Sequence, residues 1–380
     1  MGDRDEHFMQ LALGCAVRGR GAVEPNPMVG AIIVRDDREI ARGWHEQFGG
    51  PHAERQALAA ADDAGADVRG AVMYVTLEPC RHYGKTPPCT EAIVKAGIAR
   101  VVVAMVDPDE KVAGSGIAQL ESAGLEVIVG VCEDGARQLL GPYIKLCTQG
   151  RPWVICKWAQ TADGYVALPA GQGRWVSSQQ SRDDAHRLRG LCDGIVVGVG
   201  TVLADDPLLT CRATGDDLHL REPIRVVLDS HLRTPPLSRL MATTDFSPVI
   251  IVTTDRAMDR ADKKAAELCA RGAVLLPVAE EEGRVSIPAL LDELGDRQWT
   301  HLLVEGGPTV LDAVVRGGLA DELIVYVSPK QAVLSGELAR EDADDLPRYD
   351  IATVCQVLGL APAERRSCGP DALVRYRITR

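Results

Sequence analysis

Three donors of the kind that hold transition metals, His52, Cys80 and Cys89, with a carboxylate at Glu54, most restrict what this chain can fold into. A metal bound by all three must gather the start of one helix, the end of one strand and the start of a second helix at one point. His52 to Ala61 is rich in Ala and Leu and reads as a helix; Ala71 to Leu77 reads as a strand leading into Pro79-Cys80; Thr90 to Ala96 reads as a helix closed by Gly97. Alone, His52 could cap its helix and Glu54 could be a solvated first-turn acid favoured by the helix dipole. Adding Pro79-Cys80 and Cys89 turns the reading to metal ligation, and a thiol directly ahead of a helix has its pKa lowered toward the thiolate that a metal needs. One His and two Cys leave tetrahedral zinc with a fourth position for water, whose pKa drops from about 15.7 to near 7. Glu54 then remains available to move protons.

The chain around this cluster alternates. Phe8, Leu11, Ala12 and Cys15 recur at helical spacing, Met28 to Val34 reads as a strand, Arg100 to Val106 as another, Ile117 to Ala123 as a helix closed by Gly124, and Glu126 to Val131 as a strand. A layered α/β domain is expected over residues 1–147. Turn formers in Leu146 to Pro152 mark the boundary, and a second alternation fills 151–380. Its strands are expected at Trp153 to Trp158, Gly194 to Val199, Arg225 to Asp229, Pro248 to Thr253, Ala273 to Val278, His301 to Glu305 and Leu323 to Val327, with an exposed acidic loop over 331–350. A length of 380 residues suits two such domains, and 46% hydrophobic content lets each bury a core.

Charge and cysteine usage narrow the function classes. A net charge of −12 and a pI near 5.2 give no electrostatic footprint for nucleic acid, so an anionic ligand must be met by local Arg and Lys clusters. Eleven cysteines without framework spacing favour a reducing compartment, hence a cytoplasmic protein, with Cys15, Cys132, Cys156 and Cys192 as small core residues. No apolar run reaches the roughly 18 residues of a membrane span, and the acidic start resembles no targeting segment.

Around the expected metal, Pro25-Asn26-Pro27 forms a rigid turn offering the Asn26 amide to a base or ribose edge. His45 and His82 are read as substrate contacts. Eight residues, Arg81 to Pro88, separate the cysteines, and their Arg, His, Lys and Thr side chains suit a phosphate. In the second half no Gly-x-Gly-x-x-Gly follows a strand, so a Rossmann site is unsupported. Three clusters at strand ends could instead bring backbone amides to phosphate oxygens: Lys157 to Gly164, Gly198 to Pro207 and Val304 to Thr309.

Together, His-Ala-Glu, Glu78-Pro79-Cys80, the expanded loop to Pro88-Cys89 and these three clusters resemble the bifunctional deaminase/reductase family of riboflavin biosynthesis, over nearly the whole chain. The resemblance implies an N-terminal cytidine-deaminase-like three-layer domain and a C-terminal dihydrofolate-reductase-like α/β domain using NADPH. It implies that 2,5-diamino-6-ribosylamino-4(3H)-pyrimidinone 5′-phosphate loses its 2-amino group to water and that the ribosyl chain is then reduced to ribityl. Ala159, Trp175, Thr201, Asp205, Gly306 and Gly307 would line the NADPH site, and Gly173, Arg189, Leu209, Arg212 and Glu305 would contact substrate. Arg189 and Arg212 are expected to clamp the phosphate bidentately. Lys157 and Asp205 are the candidates to polarise the open-chain imine that accepts hydride. Pairing of the second domain with its copy is also implied.

The sequence departs from the family pattern at Thr161-Ala162-Asp163-Gly164, where Ser-Leu-Asp-Gly is commoner, and at Gln331 to Leu334, where a Gly-rich stretch is usual. A deaminase with an inactive reductase half, a nucleic-acid deaminase and a structural zinc module stand as the alternatives.

Overall fold

The computed structural model describes residues 2–83, 87–169, 171–213, 219–332 and 346–378. Two compact units divide the chain between Arg151 and Pro152, the first built chiefly from the residues up to Arg151 and the second chiefly from Pro152 onward.

In the first unit β1 (Gly30–Arg35), β2 (Arg38–Trp44), β3 (Val72–Val75), β4 (Arg100–Val103) and β5 (Glu126–Val129) form a sheet in the order β2-β1-β3-β4-β5. The β2-β1-β3 pairings are antiparallel, and β3, β4 and β5 run parallel. Side chains alternate across a strand, so each strand serves two cores. Ile32, Val34, Tyr74 and Val102 face the helices Asp3–Ala16 and Glu133–Leu139 through Phe8, Met9, Ala12 and Ala136. Ala31, Ile33, Met73, Val75, Val101 and Val103 face the helices Ala53–Asp63, Cys89–Ala96 and Ser115–Ser122 through Ala53, Ala57, Ile93 and Leu120. Helix, sheet and helix make three layers, and the helices that begin at His52 and Cys89 share the second face.

In the second unit β6 (Trp153–Gln160), β7 (Gly194–Gly198), β8 (Ile224–Leu228), β9 (Val249–Thr253), β10 (Ala273–Pro277), β13 (His301–Val304), β14 (Glu322–Val327), β15 (Glu364–Cys368) and β16 (Asp371–Arg377) make one sheet; β11 (Glu280–Glu281) and β12 (Arg284–Val285) form a separate hairpin. Its order is β10-β9-β8-β7-β13-β6-β14-β16-β15. Strands β10 through β14 in that order run parallel, whereas β16 pairs antiparallel with β14 and β15. Parallel strands are covered on both faces, which explains the unbroken apolar runs of β7, β9 and β13. Insertion of β13 between β7 and β6 opens a crevice at the strands' carboxyl ends, where open α/β sheets hold ligands.

Three features differ from expectation. Strand β2 and the helices Glu133–Leu139 and Gly141–Gln149 were not expected, and the last runs through much of the segment read as a boundary before Gly150 ends it at φ 63°. The antiparallel pair β15 and β16 is likewise additional to the expected strands. Finally, the stretch expected as an exposed loop is exposed at Gln331, Pro347 and Arg348 but pinned at both described ends: Ala332 and Tyr349 are buried, Ala332 N–H donates to the Asp163 carboxylate, and Val166 N–H donates to the Pro347 carbonyl. Asp163 thus anchors a segment across the chain, a role that local spacing does not reveal. Residues 333–345 lie outside the described residues.

Candidate functional sites

His52 is the N-cap of helix Ala53–Asp63, Cys80 follows the segment leaving β3, and Cys89 is the first residue of helix Cys89–Ala96. The Nδ1 atom of His52 lies 3.4 Å from both Cys80 Sγ and Cys89 Sγ, and the three donor atoms are all within 4.8 Å of one another. Tetrahedral zinc with bonds of about 2.0 Å to nitrogen and 2.3 Å to sulfur requires a nitrogen–sulfur separation of about 3.5 Å. The donor set and its spacing therefore fit zinc, with Nδ1 as the histidine donor.

Glu54, on the first turn of the same helix, is only 3% exposed. Burial, reinforced by the neighbouring Cys80 sulfur, pushes its carboxyl up to about 7. The two thiols form a pair in which Cys80 accepts a hydrogen bond from Cys89, which lowers the Cys80 pKa. Cys89 is raised as the donor in that pair and by full burial.

His45 is buried beside this cluster, its ring 5.4 Å from that of His52 and nearly perpendicular to it. Burial holds it below the ordinary histidine value, so it is a neutral ring. Its Nδ1–H donates to the Pro51 carbonyl at 3.0 Å and its Nε2 accepts from the Asn26 amide at 3.2 Å. With both nitrogens engaged, His45 orients Asn26 rather than offering a free group of its own. His82 is exposed, and Lys85 and Thr86 of the expected phosphate loop lie outside the described residues.

In the second unit a cavity of about 1470 Å³ opens at the carboxyl ends of β6, β7, β8 and β13. Every residue expected there lines it: Lys157, Ala159, Gly173, Trp175, Arg189, Thr201, Asp205, Leu209, Arg212, Glu305, Gly306 and Gly307. Lys157 Nζ is 3.1 Å from Glu305 Oε2, while Arg189 places Nε 2.9 Å from Oε1 and Nη2 2.8 Å from Oε2. The expected phosphate clamp is thus corrected for Arg189: its bidentate face is spent on Glu305, and its Nη1 donates to the Thr210 carbonyl. Arg212 lies on the same wall without that commitment. Burial alone would raise the Glu305 carboxyl, but Arg189 and Lys157 overcome it and hold the group well below the usual range.

Trp175 is 50% exposed, which removes it from the core, and the guanidinium carbons of Arg174 and Arg182 each lie 4.9 Å from its ring centre. Asp205 is exposed at the end of helix Val199–Asp205. Sequence reading missed the cationic wall of Arg174, Arg182, Arg233, Arg239 and Arg284, because those residues come from separate segments that only the fold assembles.

Two family models match the chain: the cytidine and deoxycytidylate deaminase zinc-binding region over residues 3–105 and the RibD C-terminal domain over 152–341. Riboflavin biosynthesis protein RibD of Aquifex aeolicus is 40% identical over 326 residues, covering 86% of this chain and 87% of that protein. The chain belongs to the RibD family. Its Escherichia coli relative is 39% identical over 336 residues, 86% of this chain and 88% of that one. Solved RibD structures agree over 99% of both chains: Acinetobacter baumannii RibD at a TM-score of 0.81 and 34% identity, and the Thermotoga maritima deaminase/reductase at 0.80 and 33%. As a RibD protein the chain serves riboflavin biosynthesis with a deaminase and a reductase activity, the first in a cytidine-deaminase-like domain and the second in a RibD reductase domain. None of the described helices of this RibD chain is long and apolar enough to cross a membrane.

Proposed function

We propose that His52, Cys80 and Cys89 hold zinc and that the first unit hydrolytically removes the 2-amino group of 2,5-diamino-6-ribosylamino-4(3H)-pyrimidinone 5′-phosphate. The observation that carries this reading is His52 Nδ1 equidistant from two sulfurs, with buried Glu54 two residues away. Zinc there would supply a hydrolytic nucleophile at neutral pH by acidifying water from about 15.7 to near 7. Glu54 passes the first water proton to the ring nitrogen and then the second, taken from the hydroxyl now on the ring carbon, to the departing amine; water oxygen replaces nitrogen on the ring and ammonia leaves. Buried Glu54, on the helix turn that follows His52, is placed to accept and return those protons. Asn26, held by His45, binds the heterocycle or ribose, and His82 contacts substrate.

The second unit reduces the ribosyl chain to ribityl with NADPH. NADPH held in the cavity would supply a hydride for carbon 1 of the open-chain imine, whose nitrogen takes a proton. Lys157 suits the proton donor, since burial lowers its pKa from the ordinary lysine value and Glu305 fixes its direction. Asp205, exposed on the cavity wall, suits a cofactor contact together with Ala159, Trp175, Thr201, Gly306 and Gly307. Arg212 meets the substrate phosphate, with Gly173, Leu209 and the Arg189–Glu305 pair shaping the rest.

Metal analysis combined with separate assays of ammonia release and NADPH consumption tests the reading. One zinc per chain, ammonia from the diaminopyrimidine phosphate, and NADPH oxidation only with the deaminated product are expected. Zinc-free enzyme that still releases ammonia after chelation would overturn the first half; a purified enzyme that never consumes NADPH would overturn the second.

A further inference from the structure

Helix Ser115–Ser122 contributes no donor to the metal cluster, yet it is bonded to the segments that carry both thiols. Its N-cap is Gly114, which has no side chain to satisfy the free amides of the first turn. Glu78, two residues before Cys80, takes that part from across the fold. Its Oε1 accepts the N–H groups of Gly116 at 2.7 Å and Ile117 at 3.2 Å, and its Oε2 accepts those of Gly114 at 2.8 Å and Asp107 at 3.2 Å. Four donors converge on one buried carboxylate at a helix N-terminus, where negative charge is favoured. Packing adds a steric stop: a Cβ at Gly116 would sit 2.0 Å from the Pro79 carbonyl oxygen.

One turn further along, Gln119 Oε1 accepts the Thr90 hydroxyl at 2.8 Å, and Thr90 is the residue directly after Cys89. Thr90 N–H donates to the Cys80 carbonyl at 3.2 Å. The helix is therefore bonded to the residue two before one cysteine and to the residue one after the other, while the two segments are also bonded to each other.

We propose that Glu78 and helix Ser115–Ser122 form a clamp that sets the separation of the Cys80 and Cys89 sulfurs, with Glu78 the positioning residue for the metal centre. The assignment rests on the reading of these cysteines as zinc ligands. A carboxylate is required rather than an amide, because each Glu78 oxygen faces two N–H donors: in either orientation a glutamine would turn its own NH₂ against two of them. Removing such support around a ligand typically costs about 10- to 100-fold in metal affinity.

The test compares wild type with Glu78→Gln, Gln119→Ala and Asp5→Asn in the full chain. Asp5 is the control, a buried carboxylate of the same unit that accepts from Tyr74 and Arg100 and touches neither cysteine segment. Zinc affinity is read by competition with a chromophoric chelator, thiolate coordination by the sulfur-to-metal charge-transfer bands of the cobalt(II)-loaded protein, and stability by thermal melting. Glu78→Gln is expected to lose roughly 10- to 100-fold in zinc affinity and to show altered charge-transfer bands. Gln119→Ala, which keeps the Glu78 cap and folds, is expected to shift in the same direction by less, and Asp5→Asn to melt earlier with both metal readouts unchanged. The clamp is overturned if Glu78→Gln and Gln119→Ala bind both metals as wild type does, or if Asp5→Asn loses as much affinity as either. Wild type that binds neither zinc nor cobalt would instead overturn the underlying metal reading, so the two failures are distinct.

Discussion

Glu54 and Glu305 are both buried carboxylates in candidate sites, and their surroundings push them in opposite directions. Among the protein groups around Glu54, burial and the Cys80 sulfur outweigh the His52 ring and push its carboxyl up to about 7. Replacing it with Gln keeps the shape and removes the proton carrier: Glu54→Gln is expected to lower ammonia release by about 10²- to 10⁴-fold while zinc content and NADPH oxidation with supplied deaminated product stay at wild-type levels. Glu305 instead neutralises two buried cations. Glu305→Gln leaves Lys157 and Arg189 facing each other without an anion, and about 3–5 kcal/mol of stability should be lost from the second unit. Denaturant melts monitored alongside NADPH oxidation check this. Because the folded Glu305 pKa is depressed, its stabilisation is fully present above the ordinary value of about 4.3 and disappears as pH falls through the lower folded value; the Gln variant should lack that acid-limb loss. The gathering of His52, Cys80 and Cys89 was legible because short motifs carry them. The Glu305 triad was not, since its partners lie 148 and 116 residues away and only the fold unites them, with β6 beside β13 and Arg189 on the helix Gln179–Gly190.

At the scale of elements, what could be read depended on the burial of each one. Strands β7, β9 and β13 are covered on both faces and announce themselves as Val, Ile and Leu runs; helix Cys89–Ala96 ends at Gly97 in the left-handed region, as its sequence predicts. Strand β2 carries Arg38, Glu39, Arg42 and Gly43, too polar for a periodicity signal, and its hairpin turns through Asp36 and Asp37 at φ 51° and 61° without a glycine to mark it. Yet β2 supports the helix that bears His52 and Glu54. A Cβ at Gly43 would stand 2.3 Å from the Ala57 amide nitrogen and 2.5 Å from the Ala53 carbonyl oxygen, both backbone atoms. Gly43→Ala must therefore push the helix from the sheet. Overpacking of this kind costs about 1–3 kcal/mol, and the displaced His52 should reduce zinc retention, so thermal melts and zinc content of the purified variant are expected to fall together.

For the whole molecule, each candidate site lies within one compact unit: the metal cluster in the first, the cavity beneath the β13 insertion in the second. Among the described residues, none of the cavity wall comes from the segments that hold His52, Cys80 or Cys89. Chemistry in one unit can then be stopped without dismantling the other. Zinc at the proposed site would contribute to the stability of the fold that holds it, so exhaustive chelation is expected to withdraw both the hydrolytic nucleophile and part of the first unit's stability. The second unit has its own core and loses neither. Chelated enzyme is expected to release no ammonia from the diaminopyrimidine phosphate and to melt with an earlier transition, while supplied deaminated intermediate still drives NADPH oxidation at the untreated rate. Re-addition of zinc should restore ammonia release. Loss of both activities on chelation, with the second unit still folded by circular dichroism, would show that the reductase depends on the metal-bearing half for more than its substrate.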